Sequence, residues 1–420
     1  MFKLILASLL SFSFSVSLAQ KPIQAYVTQH QVQLRSVDPT QSDYSDLSII
    51  GEAIGDARIV MLGEQDHGDA PAFLAKTRII QYLHEKKGFN VLAFESDFFG
   101  LNYNWQMVEN GGMTLQDYIN KNISPIWSMC TACSHLFKTY LPTCLGTGNV
   151  IEVSGFDCQM NTKYLMPILD SVLRLYKLPI TSSPEYGSAL LPLLSTWYNY
   201  TKDTATTDKI ISIYTEIKKQ LAARQDIDEF WMQTVDNLIQ QNIQFRNWKQ
   251  DYWKDMNTRD RQMAANLRWL ALKKYPNDKI IVWAHNYHVS KYAGHFPEDF
   301  LNNANSMGTV FTEETLLLNQ TYILGFSSLK GTAGRLSQKT YKIQKPGPNS
   351  FEHWINPNFE YAFVDFKKYN LANPSGKDLF FMAGSIKGNN HHTNHEAEWN
   401  KIFDGVIFIR NMYPCEPVAH

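Results

Sequence analysis

The stretch Ala57-Arg58-Ile59-Val60-Met61-Leu62-Gly63-Glu64-Gln65-Asp66-His67-Gly68 decides the fold. Its first half is an apolar run interrupted only by Arg58 and ends at a glycine, the pattern of a short strand buried on both faces of a parallel sheet. Its second half is polar and bounded by glycines, so it reads as a loop whose backbone can approach a ligand closely. Pro71 follows at a position that a first helical turn tolerates, and Phe73, Leu74, Thr77, Ile80 and Leu83 keep near-helical spacing until Gly88. Val91-Leu92-Ala93-Phe94-Glu95 is then a second buried strand. Strand, helix and strand in this order make a βαβ unit, whose functional loops gather at the carboxyl ends of the strands.

The same strand pattern recurs at Val150 to Gly155, Lys279 to Ala284, Tyr322 to Phe326, Tyr361 to Asp365 and Val406 to Ile409. Between about residues 159 and 275, Trp, Leu and Ile alternate with polar residues at helical spacing, which predicts a long all-helical insertion. The expected architecture is α/β: a largely parallel central sheet flanked by helices, forming one unit over residues 20–420. No internal repeat or Pro/Gly linker divides it.

The first residues predict a leader rather than fold. Met1-Phe2-Lys3 is a short positive start, Leu4 to Leu18 is apolar and small, and Ser17-Leu18-Ala19 is the small-x-small pattern of a cleavage site. Residues 1–19 therefore read as a signal peptide cleaved after Ala19, which predicts a periplasmic or secreted protein with no membrane attachment after cleavage. With 39 Lys+Arg against 40 Asp+Glu among 420 residues, the net charge is −1, and a nucleic-acid-binding surface is not expected. Composition carries no signal for an oligomeric state. Of the five cysteines, Cys130, Cys133, Cys144, Cys158 and Cys415, an odd number leaves at least one unpaired, and an oxidising compartment would permit one or two bridges among the first four. Cys130-Thr131-Ala132-Cys133 lacks the context of a redox or zinc motif and reads as structural.

Several chemistries are excluded. There is no Gly-x-Ser-x-Gly elbow; Gly325-Phe326-Ser327-Ser328-Leu329 lacks the closing glycine. No Walker loop is present, and neither His84-Glu85 nor His395-Glu396 carries the second histidine of a zinc-protease helix. What remains lies at strand ends. Glu64 and His67 follow the first strand, and Trp283-Ala284-His285-Asn286-Tyr287-His288 places two more histidines after a later one. A parallel sheet would bring both loops to one edge, with Glu95, Asp97 and Asp157 ending other strands beside them. By contrast, His391-His392-Thr393-Asn394-His395-Glu396 follows a glycine in a polar stretch and reads as a solvated loop. Trp248, Tyr252 and Trp253 read as interhelical packing.

Together, Gly63-Glu64-x-x-His67-Gly68, Lys87-Gly88-Phe89 leading into Val91 to Glu95, and Trp283-Ala284-His285-Asn286-x-His288 resemble the erythromycin esterase family. Arg259-Asp260-x-x-Met263-Ala264-x-Asn266-Leu267 and Phe403-Asp404-Gly405-Val406-Ile407-Phe408 are similar to that family's later segments. The resemblance implies hydrolysis of a carboxylic ester, in the best-known members the macrolactone of erythromycin-type antibiotics, without a serine nucleophile. His67 would be the general base, Glu64 would orient it, and His285 and His288 would complete the cleft. Lys76, with Arg78 close by, would supply the cation near the oxyanion, and Glu95 would join the substrate side. The expected partner is a small-molecule ester, and no cofactor is expected. The alternatives are a metal-dependent hydrolase holding a divalent ion on Glu64, His67, His285 and His288, and a non-catalytic periplasmic protein binding a ligand or metal in the same cleft. Two features depart from the antibiotic-resistance members: the leader, and a helical region with no recognisable macrolide signature.

Overall fold

The computed structural model describes residues 21–188, 204–247, 251–291, 304–384 and 392–418. The leader reading lies outside these residues. A nine-stranded sheet forms the centre, from β1 (Val32–Leu34), β2 (Ile59–Leu62), β3 (Val91–Asp97), β4 (Glu152–Asp157), β5 (Ile280–Trp283), β6 (Thr321–Ala333), β7 (Tyr341–Lys342), β8 (Tyr361–Asp365) and β11 (Gly405–Met412). A separate antiparallel pair joins β9 (Phe380–Met382) to β10 (His395–Ala397). The main order is β1-β8-β11-β6-β2-β5-β3-β4, with β7 paired to β6. From β11 to β4 all neighbours are parallel, and only β8, β1 and β7 add antiparallel edges. All seven strands read from the sequence are present. The fold is the mixed, mostly parallel sheet flanked by helices that the pattern predicted.

Alternation along each strand divides the core. Val60, Leu62, Leu92, Phe94, Ile281 and Trp283 face a cluster built with the helix Ala70–Lys87, whereas Ile59, Met61, Val91, Ala93, Ile280 and Val282 face one built with the helix Tyr252–Trp269. A strand buried on both sides needs apolar residues at every position, which is why β2 and β5 read as continuous runs. The helix Ala70–Lys87 starts with Pro71 in its first turn and ends on Gly88 in the left-handed region, φ 72°. Between β4 and β5 the described residues contain helices and no strand. Leu165, Leu169, Tyr214, Trp231 and Leu238 form a third cluster there with Phe98 and Phe99.

Three expectations are corrected. The glycines around the His67 loop serve protein packing: a side chain at Gly63 would meet Asn286 Oδ1 at 2.0 Å, and one at Gly68 would meet the Gly334 carbonyl oxygen at 2.1 Å. The disulfide joins Cys130 to Cys415 across 285 residues, so it does not lie among the first four cysteines; Cys133, Cys144 and Cys158 are buried thiols. His392 is not solvated. It is 1% exposed, because Nε2 lies 3.1 Å from Asp69 Oδ1 and Nδ1 lies 3.0 Å from Ser328 Oγ, which draws the ring into the core. His391 and Trp248 lie outside the described residues. Tyr252 stands edge-on to Trp253, and Trp253 packs on the core beneath their helix.

Candidate active site

Parallel strands deliver their carboxyl ends to one edge, and β5 lies between β2 and β3 although it follows them by nearly 200 residues in sequence. The loop carrying His285 and His288 is thereby inserted between the loops carrying His67 and Glu95. The insertion is secured by Asn286, whose side chain donates to the Phe326 carbonyl (2.7 Å) and the Gly384 carbonyl (2.9 Å) and accepts from the Phe326 N–H (3.0 Å).

The His67 loop is held from several sides. Asp69 caps the Asp66 N–H at 2.9 Å, and Asp66 in turn accepts from the His67 N–H, from Arg335 Nε at 2.6 Å and from the Tyr341 hydroxyl at 2.9 Å. His67 Nδ1 lies 3.0 Å from Glu64 Oε1. A carboxylate only accepts, so Nδ1 carries the proton, and in the neutral ring the lone pair sits on Nε2. Nε2 makes no hydrogen bond among the described residues and stands 3.9 Å from Glu95 Oε1, close enough for one water to bridge the two. The other oxygen of Glu64 is paired with Lys76, which is fully buried, lies 4.1 Å from the Trp283 ring and also donates to the Ala284 carbonyl at 3.2 Å. Burial pushes the Lys76 ammonium down to about 8, against the opposing pull of Glu64. The order is cation, carboxylate, imidazole, with only the last reaching the cavity.

The second loop has different chemistry. His285 Nε2 lies 2.7 Å from the Gln65 carbonyl oxygen, which can only accept, and Nδ1 accepts the Tyr287 N–H at 3.0 Å. Both nitrogens are thus engaged in a neutral ring that caps the turn Asn286–Val289. His288 lies between carboxylates, Nδ1 2.7 Å from Asp260 Oδ1 and Nε2 3.3 Å from Glu95 Oε1. Burial alone would lower it, but Asp260 and Glu95 raise it to about 9, so it is an imidazolium at neutral pH. Burial would likewise raise Glu95, yet His288, His67 and Arg259 hold it well below the usual carboxylate range.

Arg259 completes this network. It donates from Nε and Nη2 to Asp157 (3.1 and 2.5 Å) and from Nη2 to Glu95 Oε1 (2.8 Å). Two carboxylates and a planar guanidinium give a rigid fork. A cavity of about 380 Å³ opens over these groups, with His67, Glu95, Asp97, Asp157, Arg259 and Arg335 on its polar wall. Ile123, Pro125, Ile126 and Trp127 supply the apolar wall, and the Trp127 ring meets the His67 ring edge-on with centroids 5.3 Å apart. Burial raises Asp97 to about 6 against the N–H groups of Gly100 and Asn161 that it accepts from.

Of the residues read from sequence, Glu64, His67, Glu95, His285 and His288 come together. Lys76 is close but lies behind Glu64, outside the cavity lining. Arg78 is elsewhere: its guanidinium is bound to Asp46 (2.7 and 3.0 Å) and to the carbonyls of Ser36 and Asp43. Sequence reasoning missed Trp127 and Arg335, which lie in segments without periodic signal, and gave Arg259 and Asp260 no role although their helix was noted. An arginine and an aspartate adjacent on a helix facing strand ends was the available signal. The set Glu64, His67, His285 and His288 does not fit a divalent ion. His285 and His288 already use both ring nitrogens, and among the described residues no three His, Cys, Asp or Glu side chains are arranged to hold a metal.

Comparison with known proteins follows the same lines. The family model described as Erythromycin esterase matches residues 84–412. YbfO of Bacillus subtilis (strain 168), provisionally named a hydrolase, is 26% identical over 440 residues, covering 96% of this chain and 94% of its own. A crystal structure of a Bacillus cereus protein superposes with a TM-score of 0.74 at 19% identity, covering 95% of this chain and 98% of that one. The erythromycin esterase EreC, as a histidine-to-asparagine mutant in its open conformation, superposes with a TM-score of 0.73 at 18% identity, covering 93% and 100%. At these identities the structures speak to fold.

Proposed function

Because the chain belongs to the erythromycin esterase family, we propose that it hydrolyses a carboxylic ester or lactone with water activated by His67. The observation that carries this reading is the state of His67. Its Nδ1 proton is anchored on Glu64, and its Nε2 lone pair is directed to a cavity that also holds a fixed guanidinium. Water between Nε2 and Glu95 gives its proton to His67 as oxygen attacks the ester carbon, and the imidazolium, stabilised by Glu64, returns that proton to the departing alkoxide. Positioned proton transfer of this kind contributes about 10²–10⁴-fold. Arg259, rather than the sequestered Lys76, faces the cavity and is the group placed to stabilise the oxyanion. The reaction is read as metal-free, since the second loop's nitrogens are already committed to protein partners.

The cavity is near the lower end of the roughly 300–1,000 Å³ usual for ligand sites. With an apolar wall of Ile123, Ile126 and Trp127, it suits a compact ester or lactone with one apolar flank better than a glycosylated macrolide. Export is part of the proposal. It is supported by the leader-like first 19 residues and by the Cys130–Cys415 bridge, since disulfides persist in oxidising compartments.

The test is turnover of aryl esters, small lactones and macrolides by the purified mature protein, with and without EDTA, beside His67→Ala. Hydrolysis indifferent to EDTA and reduced at least a hundredfold in the variant is the expected result. Turnover unchanged by His67→Ala would remove the assigned base. Loss with EDTA that zinc or manganese restores would favour the metal-dependent alternative, and no turnover on any ester would favour a ligand-binding protein.

A further inference from the structure

The segment that follows β11 joins the His67 loop to the chain just after Trp127. On one side it pairs with the His67 loop: the Cys415 N–H donates to the Gly68 carbonyl at 2.7 Å, the Ala70 N–H donates to the Tyr413 carbonyl at 3.1 Å, and Asp69 bridges to Pro414. On the other side it pairs with the chain just after Trp127. The Thr131 N–H donates to the Glu416 carbonyl at 2.9 Å, the Val418 N–H donates to the Met129 carbonyl at 2.8 Å, and Cys130 bridges to Pro417. The Cys130–Cys415 disulfide closes this strap covalently. Trp127 is 1% exposed, and its indole N–H makes no hydrogen bond among the described residues. The ring is therefore located by packing and by the backbone that carries it.

We propose that Cys130, Cys415 and Trp127 are positioning residues for His67: the bridged strap Tyr413–Val418 fixes the separation between the His67 loop and the Trp127 wall, so that the perpendicular indole holds the imidazole in its working orientation. The proposal rests on His67 being the base. The strap ties three places remote in sequence to one backbone ladder. Hydrogen bonds alone would let the Trp127 segment fluctuate against the loop, and the covalent bridge removes that freedom.

The experiment reads the contact directly. An imidazolium against an indole quenches its emission, so tryptophan fluorescence of the oxidised protein followed against pH should show a step that disappears in His67→Asn and in Trp127→Phe. Two preparations then lack the bridge. One is the Cys130→Ser/Cys415→Ser variant. The other is wild type treated with dithiothreitol, which donates two electrons and two protons to give two thiols and itself closes to a cyclic disulfide. Thiol titration verifies the reduction, and far-UV circular dichroism verifies the fold, so the second preparation serves if the variant does not fold. The expected result is a step reduced to less than half its amplitude, with kcat down about tenfold or more and KM within threefold, because small misplacements of a reacting group are costly. A step of full amplitude with unchanged kcat in the unbridged, folded protein would reduce the bridge to a purely structural role and overturn the proposal. So would a step absent from the oxidised wild type. If no ester is turned over by any form, the functional reading falls and the fluorescence step still decides the positioning.

Discussion

The loops after β2 and β5 invite comparison, because each puts histidine at the same edge of the same sheet and they differ almost entirely in what that histidine can do. His67 has one nitrogen on a carboxylate and the other facing the cavity. His285 has one nitrogen on a carbonyl and the other under an N–H, which locks it neutral, and His288 lies between Asp260 and Glu95, which lock it charged. Residue type is the same in all three; the partners set the role. A base needs a lone pair directed at water, and only the first loop offers one.

The largest expected effect is on turnover. His67→Asn should lower kcat by about 10³-fold while leaving the thermal midpoint nearly unchanged, because the ring reaches the cavity and supports little of the core. A large stability loss in that variant would mean that the first loop is as structural as the second. For His288→Gln the main effect should be on stability. It leaves Glu95 and Asp260 buried beside a neutral amide, and breaking a buried ion pair costs about 3–5 kcal/mol, measurable as a lower denaturant midpoint.

The same residue sharpens the contrast through pH. A histidine at about 9 in the fold and near its ordinary 6.5 unfolded binds its proton more tightly when folded. Its stabilisation is therefore complete below about 6.5 and is lost as pH rises through 9. Denaturation across that window should show a falling stability whose slope is reduced in His288→Gln; an unchanged slope would place the titration elsewhere. Smaller again is His285→Asn, whose side-chain oxygen can still accept the Tyr287 N–H. It should cost about 1 kcal/mol for the lost bond to Gln65 and change kcat less than threefold. A catalytic role for His285 would appear there as a much larger loss.

The strands were legible in the sequence for a plain reason: a strand covered on both faces must be apolar at consecutive positions, and runs such as Ile59–Leu62 and Ile280–Trp283 record this without reference to anything distant. That Glu64, His67, Glu95, His285 and His288 come together at the candidate site was legible because polar groups directly after such runs stand at the edge where loops gather. Arg78 was misplaced for a related reason. Two residues beyond Lys76 on a helix is about 200° around its axis, so its guanidinium turns away to Asp46. Cys415 and His392 looked unremarkable because their partners, Cys130 and Asp69, lie about 300 residues away.

By itself the sequence determined the α/β class, the strand positions and the residues available to one edge, since periodicity and turn chemistry are local. Only the tertiary structure decided that β5 enters between β2 and β3, that Arg259 rather than Lys76 faces the cavity, and that one of three histidines keeps a nitrogen directed at solvent. Those outcomes depend on hydrogen-bond partners and burial contributed by distant segments. Protonation state follows from such surroundings and not from residue type.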